Sequence, residues 1–184
     1  MKLEQQIEAL AELGLPLGED VSIEDLLHSA ERETYEKEPF EFLLLMFGME
    51  AEREPYGRRI CPYAWNLDME CIGKTGDYAH IVQQLCQVAK MPGRLTDIKD
   101  YVDFDAGKAW LEYTVKGQPR HWDVELVSDW ADPMILAYVM DDIERDGKRF
   151  HAKDNGQASI WFYLDEPTAL KLNQLSNDAL TTNQ

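Results

Sequence analysis

The most suggestive spacing in the chain is His121-x-Asp123, in the run Arg120-His121-Trp122-Asp123-Val124-Glu125. In an extended strand, side chains two apart point to the same side, so His121, Asp123 and Glu125 are expected to share a face. A His-x-Asp pair with a distant His is the ligand set of facial-triad iron enzymes, and His151 is the candidate third ligand. The same alternation has a plainer reading. Trp122, Val124 and Leu126 make the opposite face apolar, which leaves the His121 face to solvent. A helix expected between residues 121 and 151 also interrupts the all-strand setting that such enzymes supply. A metal-dependent enzyme built on His121, Asp123 and His151 is therefore the alternative reading, and the leading expectation is no cofactor and no catalytic residue.

Other constellations fail on spacing. Gly73-Lys74-Thr75 has the end of a phosphate-binding loop, but Asp68 stands where the first glycine is needed, and an acid there would repel phosphate. Asp97, Asp100, Asp103 and Asp105 are dense enough to suggest calcium. A twelve-residue loop from Asp103 would require Gly at 108 and Glu at 114, where the chain has Lys108 and Thr114. Cys61, Cys71 and Cys86 have no paired spacing, which predicts three reduced, partly buried thiols. His80 and Cys86 fall on roughly opposed sides of a helix, and Ser159 lies in a strand without a nucleophile motif.

Without a catalytic signature, the features that remain are those of a binding surface. Trp110 falls on the polar side of its strand, and Trp130 sits among acids in Ser128-Asp129-Trp130-Ala131-Asp132. Aromatic side chains beside carboxylates are common interface anchors for basic partners. The alternative for Trp110 is a second packed layer over that side. Asp97, Asp100, Asp103 and Asp105, with Asp129, Trp130 and Asp132, are accordingly the expected partner-binding residues.

The net charge is −17, and its distribution is uneven: residues 1–55 hold 15 acids and 4 bases. Such a field repels nucleic acid and anionic membranes and speeds encounter with basic proteins. The longest apolar run, Phe42–Phe47, is far below the roughly 20 residues that span a bilayer. The amino terminus carries acid and amide where a secretory signal carries basic and then apolar residues, so the expectation is a cytoplasmic protein.

These side chains are positioned by elements that the periodicity outlines. Leu3, Ile7 and Leu10 predict a first helix stopped by Gly14 and Pro16, and Ser22 with Asp25 predicts a capping box opening a second. Glu31–Pro39 reads as an exposed linker, Glu41–Phe47 as a buried strand, and Ile60–Cys71 as an extended stretch. A helix is expected from Asp77 to just before Pro92-Gly93. A three-stranded meander follows, with turns at Asp105-Ala106-Gly107 and Gly117-Gln118. Asp132-Pro133 opens a helix, Ile160, Phe162 and Leu164 alternate in a last strand, and a final helix starts at Asp165. The fold expected is α+β: a mainly antiparallel sheet with helices packed on one face. The organisation is a helical amino-terminal appendage over residues 1–38, a main domain over 39–176, and a frayed polar tail over 177–184.

The stretch GKAWLEYTVKGQPRHWDVELVSDWADP, residues 107–133, is followed by a helix and then Phe162-Tyr163-Leu164-Asp165. This pattern of hairpin and tryptophans resembles a loose group of bacterial cytosolic proteins, some of which accompany secreted polymorphic toxins as immunity proteins. The resemblance covers about half of the chain and carries no residue roles with it. It implies toxin neutralisation, and with the acidic bias it makes an immunity or inhibitor protein that masks a basic toxin domain, such as a nuclease, the leading reading. A nucleic-acid mimic that inhibits a DNA-binding machine is the remaining alternative, although two short helices offer little length for mimicry.

Overall fold

The amino-terminal quarter folds as four short helices because its apolar residues recur at helical spacing between frequent breakers. In the computed structural model, which describes residues 1–177 and 179–182, these are α1 (Leu3–Glu12), α2 (Ile23–Ser29), α3 (Arg32–Lys37) and α4 (Glu41–Phe47). The Ser22–Asp25 capping box forms as expected, with the Ser22 amide donating to Asp25 Oδ2 at 2.8 Å. Two expectations are overturned in this region. The Glu31–Pro39 linker holds α3, whose Tyr35 is fully buried and donates to the Leu26 carbonyl at 2.7 Å. The Glu41–Phe47 strand is a helix. Seven residues with one charge carry no period, and α4 is helical because Leu43, Leu44, Met46 and Phe47 are buried at once and it is wrapped on most sides. The buried Gln6 side chain ties the group together, donating to the Tyr35 carbonyl and accepting from the Phe40 amide, each at 2.8 Å.

The rest of the chain adds β1 (Ala64–Asp68), α5 (Asp77–Val88), β2 (Leu95–Asp103), β3 (Lys108–Val115), β4 (Gln118–Asp123) and α6 (Pro133–Ile143). It closes with β5 (Lys148–Asn155), β6 (Ala158–Asp165), α7 (Glu166–Leu175) and β7 (Leu180–Thr182). The class is α+β, as expected. The strands form two antiparallel sheets rather than one, a four-stranded sheet in the order β1-β6-β5-β7 and the meander β2-β3-β4.

The larger sheet is covered on both faces, which differs from the expectation of helices on one side. Ile160, Phe162 and Leu164 of β6 pack with α1–α4 and α7. Trp161 and Tyr163, the alternate residues of the same strand, pack with α5, α6 and the inner side of the meander. The layers therefore run from amino-terminal helices through the four-stranded sheet and α5/α6 to the three-stranded sheet. The helical segment over residues 1–38 runs into the same apolar cluster as β6.

Double coverage explains the strand that sequence periodicity missed. In β5, Phe150, His151, Ala152 and Lys153 are all buried, so there is no alternation to detect. Lys153 is tolerated there because Glu41 of α4 accepts from its Nζ at 2.7 Å. The carboxyl-terminal tail is ordered over Leu180–Thr182 as β7, which pairs with β5, in place of the frayed end expected. Asp178, Asn183 and Gln184 of that tail lie outside the described residues. Among the described residues, no helix is long and apolar enough to cross a membrane.

Candidate functional site

The meander packs only one of its faces. Ala109, Leu111, Tyr113 and Val115 of β3 point inward and are buried, while Trp110, Glu112 and Thr114 point outward. Cross-strand register fixes what surrounds them. Tyr101, Trp110 and Asp123 lie side by side across β2, β3 and β4, and Glu112 lies between Lys99 and His121. Asp103 pairs with Lys108 at one end of this outward face. Among the described residues no element is laid over it, and Trp110 is only partly buried, so the expected alternative of a second packed layer over that side does not occur there.

The face is ordered by its own contacts. The Tyr101 and Trp110 rings stack at 6.0 Å with an interplanar angle of 18°, and Trp110 and His121 stack at 6.0 Å and 30°. The Tyr101 hydroxyl donates to Asp103 Oδ2 at 2.9 Å. His121 lies 2.9 Å from Glu112 Oε1 through Nδ1 and 3.4 Å from Asp123 Oδ1 through Nε2. The hydrogen bond to Glu112, with a further contribution from Asp123, raises the His121 pKa above its ordinary value. The result is a half-exposed row of mutually stacked rings on a pleated surface, edged by Asp103, Glu112 and Asp123. A recess of about 320 Å³ opens beside it, lined in part by Asp97, Lys99, Glu112 and His121.

No family model matches the chain, and no curated protein or solved structure matches it. The chemistry of the site therefore rests on its own geometry.

The sequence-predicted residues divide by environment. Asp97 marks a break in the β2 register and faces the recess, and Asp103 edges the aromatic row. Asp105 is exposed in the β2–β3 turn. Asp100 is different: it is 8 % exposed, and its carboxylate accepts from the Gly76 and Tyr78 amides at 2.9 and 3.2 Å. It caps the start of α5 and is not presented to a partner. Asp132 likewise accepts from the Met134, Ile135 and Glu125 amides and caps α6. Asp129 is exposed, and Trp130, 40 % exposed, is bridged to Val127 across a tight turn and to Glu70. That turn forms a second, smaller patch.

The metal alternative is not supported by placement. His121 lies on the outer face of the small sheet, whereas His151 is 2 % exposed inside the four-stranded sheet, with Nδ1 3.3 Å from Thr182 Oγ1. Among the described residues no group of three His, Cys, Asp or Glu is placed to hold a metal ion. The cysteines form no disulfide. Burial pushes the Cys61 thiol up to about 12 and those of Cys71 and Cys86 to about 11, so all three stay protonated near neutrality.

Sequence reasoning found Trp110 as outward-facing and passed over Tyr101, Lys99 and Glu112. The signal available was register. Once Asp105-Ala106-Gly107 is taken as the turn, Tyr101 and Lys99 fall opposite Trp110 and Glu112.

Proposed function

We propose that this protein is an immunity or inhibitor protein that masks a basic toxin domain with the outer face of its three-stranded sheet. The observation that carries the reading is the uncovered Tyr101–Trp110–His121 row edged by carboxylates. Flat aromatic rings receive the guanidinium or ammonium groups of a basic partner, and the neighbouring Asp103, Glu112 and Asp123 complete charge-assisted hydrogen bonds to them. The anchors are already stacked, so little side-chain freedom is lost when a partner docks. The excess of 35 acids over 18 bases speeds encounter with such a partner. The resemblance of residues 107–133 to immunity proteins of polymorphic toxin systems supports the same class.

The test has two stages. The tagged chain and a Tyr101→Ala/Trp110→Ala variant are used for capture from lysate of the native host, at low and moderate salt. The reading expects a basic protein retained by the unaltered chain and lost by the variant. That protein is then expressed in a bacterial host with and without this chain. Growth arrest relieved by co-expression supports masking. Capture that is indifferent to both substitutions, or a captured protein that is harmless alone, overturns it.

A further inference from the structure

Carboxylates outnumber basic groups almost two to one in this chain, so a concave surface whose charged lining residues are all bases needs an explanation. One lies where three connections meet. The loop after α5 contributes Met91, Gly93 and Arg94, the β3–β4 turn contributes Lys116, and the segment after α6 contributes Arg145. Together they line an open recess of about 400 Å³ with three cationic side chains and, among the described residues, no carboxylate. The same loop lends Lys90 and Pro92 to a second recess, of about 290 Å³, whose other charged residue is Arg59. Among the described residues no acid lines that one either.

The pairing pattern sharpens the point. Among the described residues, neither Arg94 nor Lys116 has a carboxylate within salt-bridge distance, and the one carboxylate paired with Arg145 is that of its chain neighbour Asp146, at 3.1 Å. Arg94 is half-buried, and its Nε is shielded from solvent with no acceptor from the protein. A buried, unpartnered guanidinium nitrogen carries a desolvation cost. If Arg94 served only to complement the carboxyl-terminal end of α5, its donors would be expected on the last helix carbonyls.

We propose that the Arg94–Lys116–Arg145 recess is a binding site for a small phosphoryl-type oxyanion. Arg94 supplies the planar donor fork, whose geometry matches two oxygens of a tetrahedral anion. Lys116 and Arg145 neutralise the remaining charge from two other connections. The left-handed backbone at Lys116, with φ of 49°, and at Gly117 holds the turn that brings the ammonium group to this rim. Phosphate as the free ion and phosphate as a monoester share this chemistry.

Calorimetric titration of the full chain in a chloride-poor buffer tests the site with two probes, inorganic phosphate and glycerol 3-phosphate. Saturable binding at one site is expected for at least one of them. Arg94→Gln and Lys116→Asn should each weaken it by about tenfold or more, because each removes a charge-assisted contact. Asparagine tolerates the left-handed backbone at 116, so that variant stays informative if Arg94→Gln folds poorly. Lys171→Gln, on α7, should bind as the unaltered chain does. Tighter binding of the ester assigns the recess to a phosphorylated small molecule, and equal or tighter binding of phosphate assigns it to the free ion. Failure of both probes to saturate, or equal affinity in the recess variants, overturns the proposal.

Discussion

At the scale of single residues, an acid is defined by what its oxygens accept. Asp100 and Asp105 are five apart in one acidic run, yet Asp100 is buried beneath the first turn of α5 while Asp105 is exposed in a turn. Asp100→Ala should therefore cost about 1–3 kcal/mol, since the Gly76 and Tyr78 amides lose their acceptor. Asp105→Ala should stay within about 0.5 kcal/mol of the unaltered chain. Urea unfolding of both variants checks the contrast, and equal losses would refute it. His151 supplies a pH dependence. Burial lowers its pKa, with Glu166 and Glu144 opposing and Arg149 assisting. The folded state thus binds the proton less readily than the unfolded chain, whose imidazole titrates near pH 6.5. Stability from this group is complete above about pH 6.5 and falls as pH drops through the depressed folded value. Thermal unfolding followed from pH 7.5 to 5 should show this decline, and His151→Gln should flatten it.

At the scale of elements, legibility in the sequence followed the number of covered faces. The meander was readable because β3 alternates strictly, with one face buried and one open. The two turns of the meander, the Asp132-Pro133 start of α6 and the start of α7 were readable from local turn and cap chemistry. β5 and α4 were not, since both are covered on more than one side and lose the period that marks an amphipathic element. The residues of the candidate surface split the same way: the outward side of Trp110 is readable from its own strand, and Tyr101 needs pairing information that no single strand contains. The junction of α4 with the large sheet makes a sharp prediction. A Cβ at Gly48 would lie 2.6 Å and 2.8 Å from two side-chain carbons of Ile160 and 3.0 Å from the Asn66 amide nitrogen. Gly48→Ala should destabilise by about 1–3 kcal/mol through overpacking. Ile160→Val in the same background should recover part of the loss, because it removes the carbon nearest to the new methyl group. A double-mutant cycle by urea unfolding measures that recovery, and strict additivity would contradict it.

At the scale of the whole molecule, charge and layering are arranged unevenly. The first 55 residues, with their 15 acids and 4 bases, largely form the helical layer on one side of the large sheet. The three-stranded sheet forms the opposite layer. Net charge of this size strains the compact state by self-repulsion, and added salt screens it with a Debye length of about 10 Å at 0.1 M. Raising sodium chloride from low concentration to about 0.2 M should therefore raise the melting temperature. The same addition should slow association with a basic partner, so stability and on-rate move in opposite directions. Calorimetry and stopped-flow mixing across one salt series read the two together, and parallel trends would show that the field does not act this way.

The outer side of β3 has a consequence for how such a protein can change over generations. Trp110, Glu112, Tyr101 and His121 touch mainly one another, while the residues between them hold the strands to the helices beneath. The exposed surface and the packed core are thus assigned to alternate positions of the same strands. Substitution at the outward set leaves the inward set undisturbed, so the surface is free to change while the scaffold stays fixed. Strand alternation separates an inherited frame from a rewritable script, one residue apart.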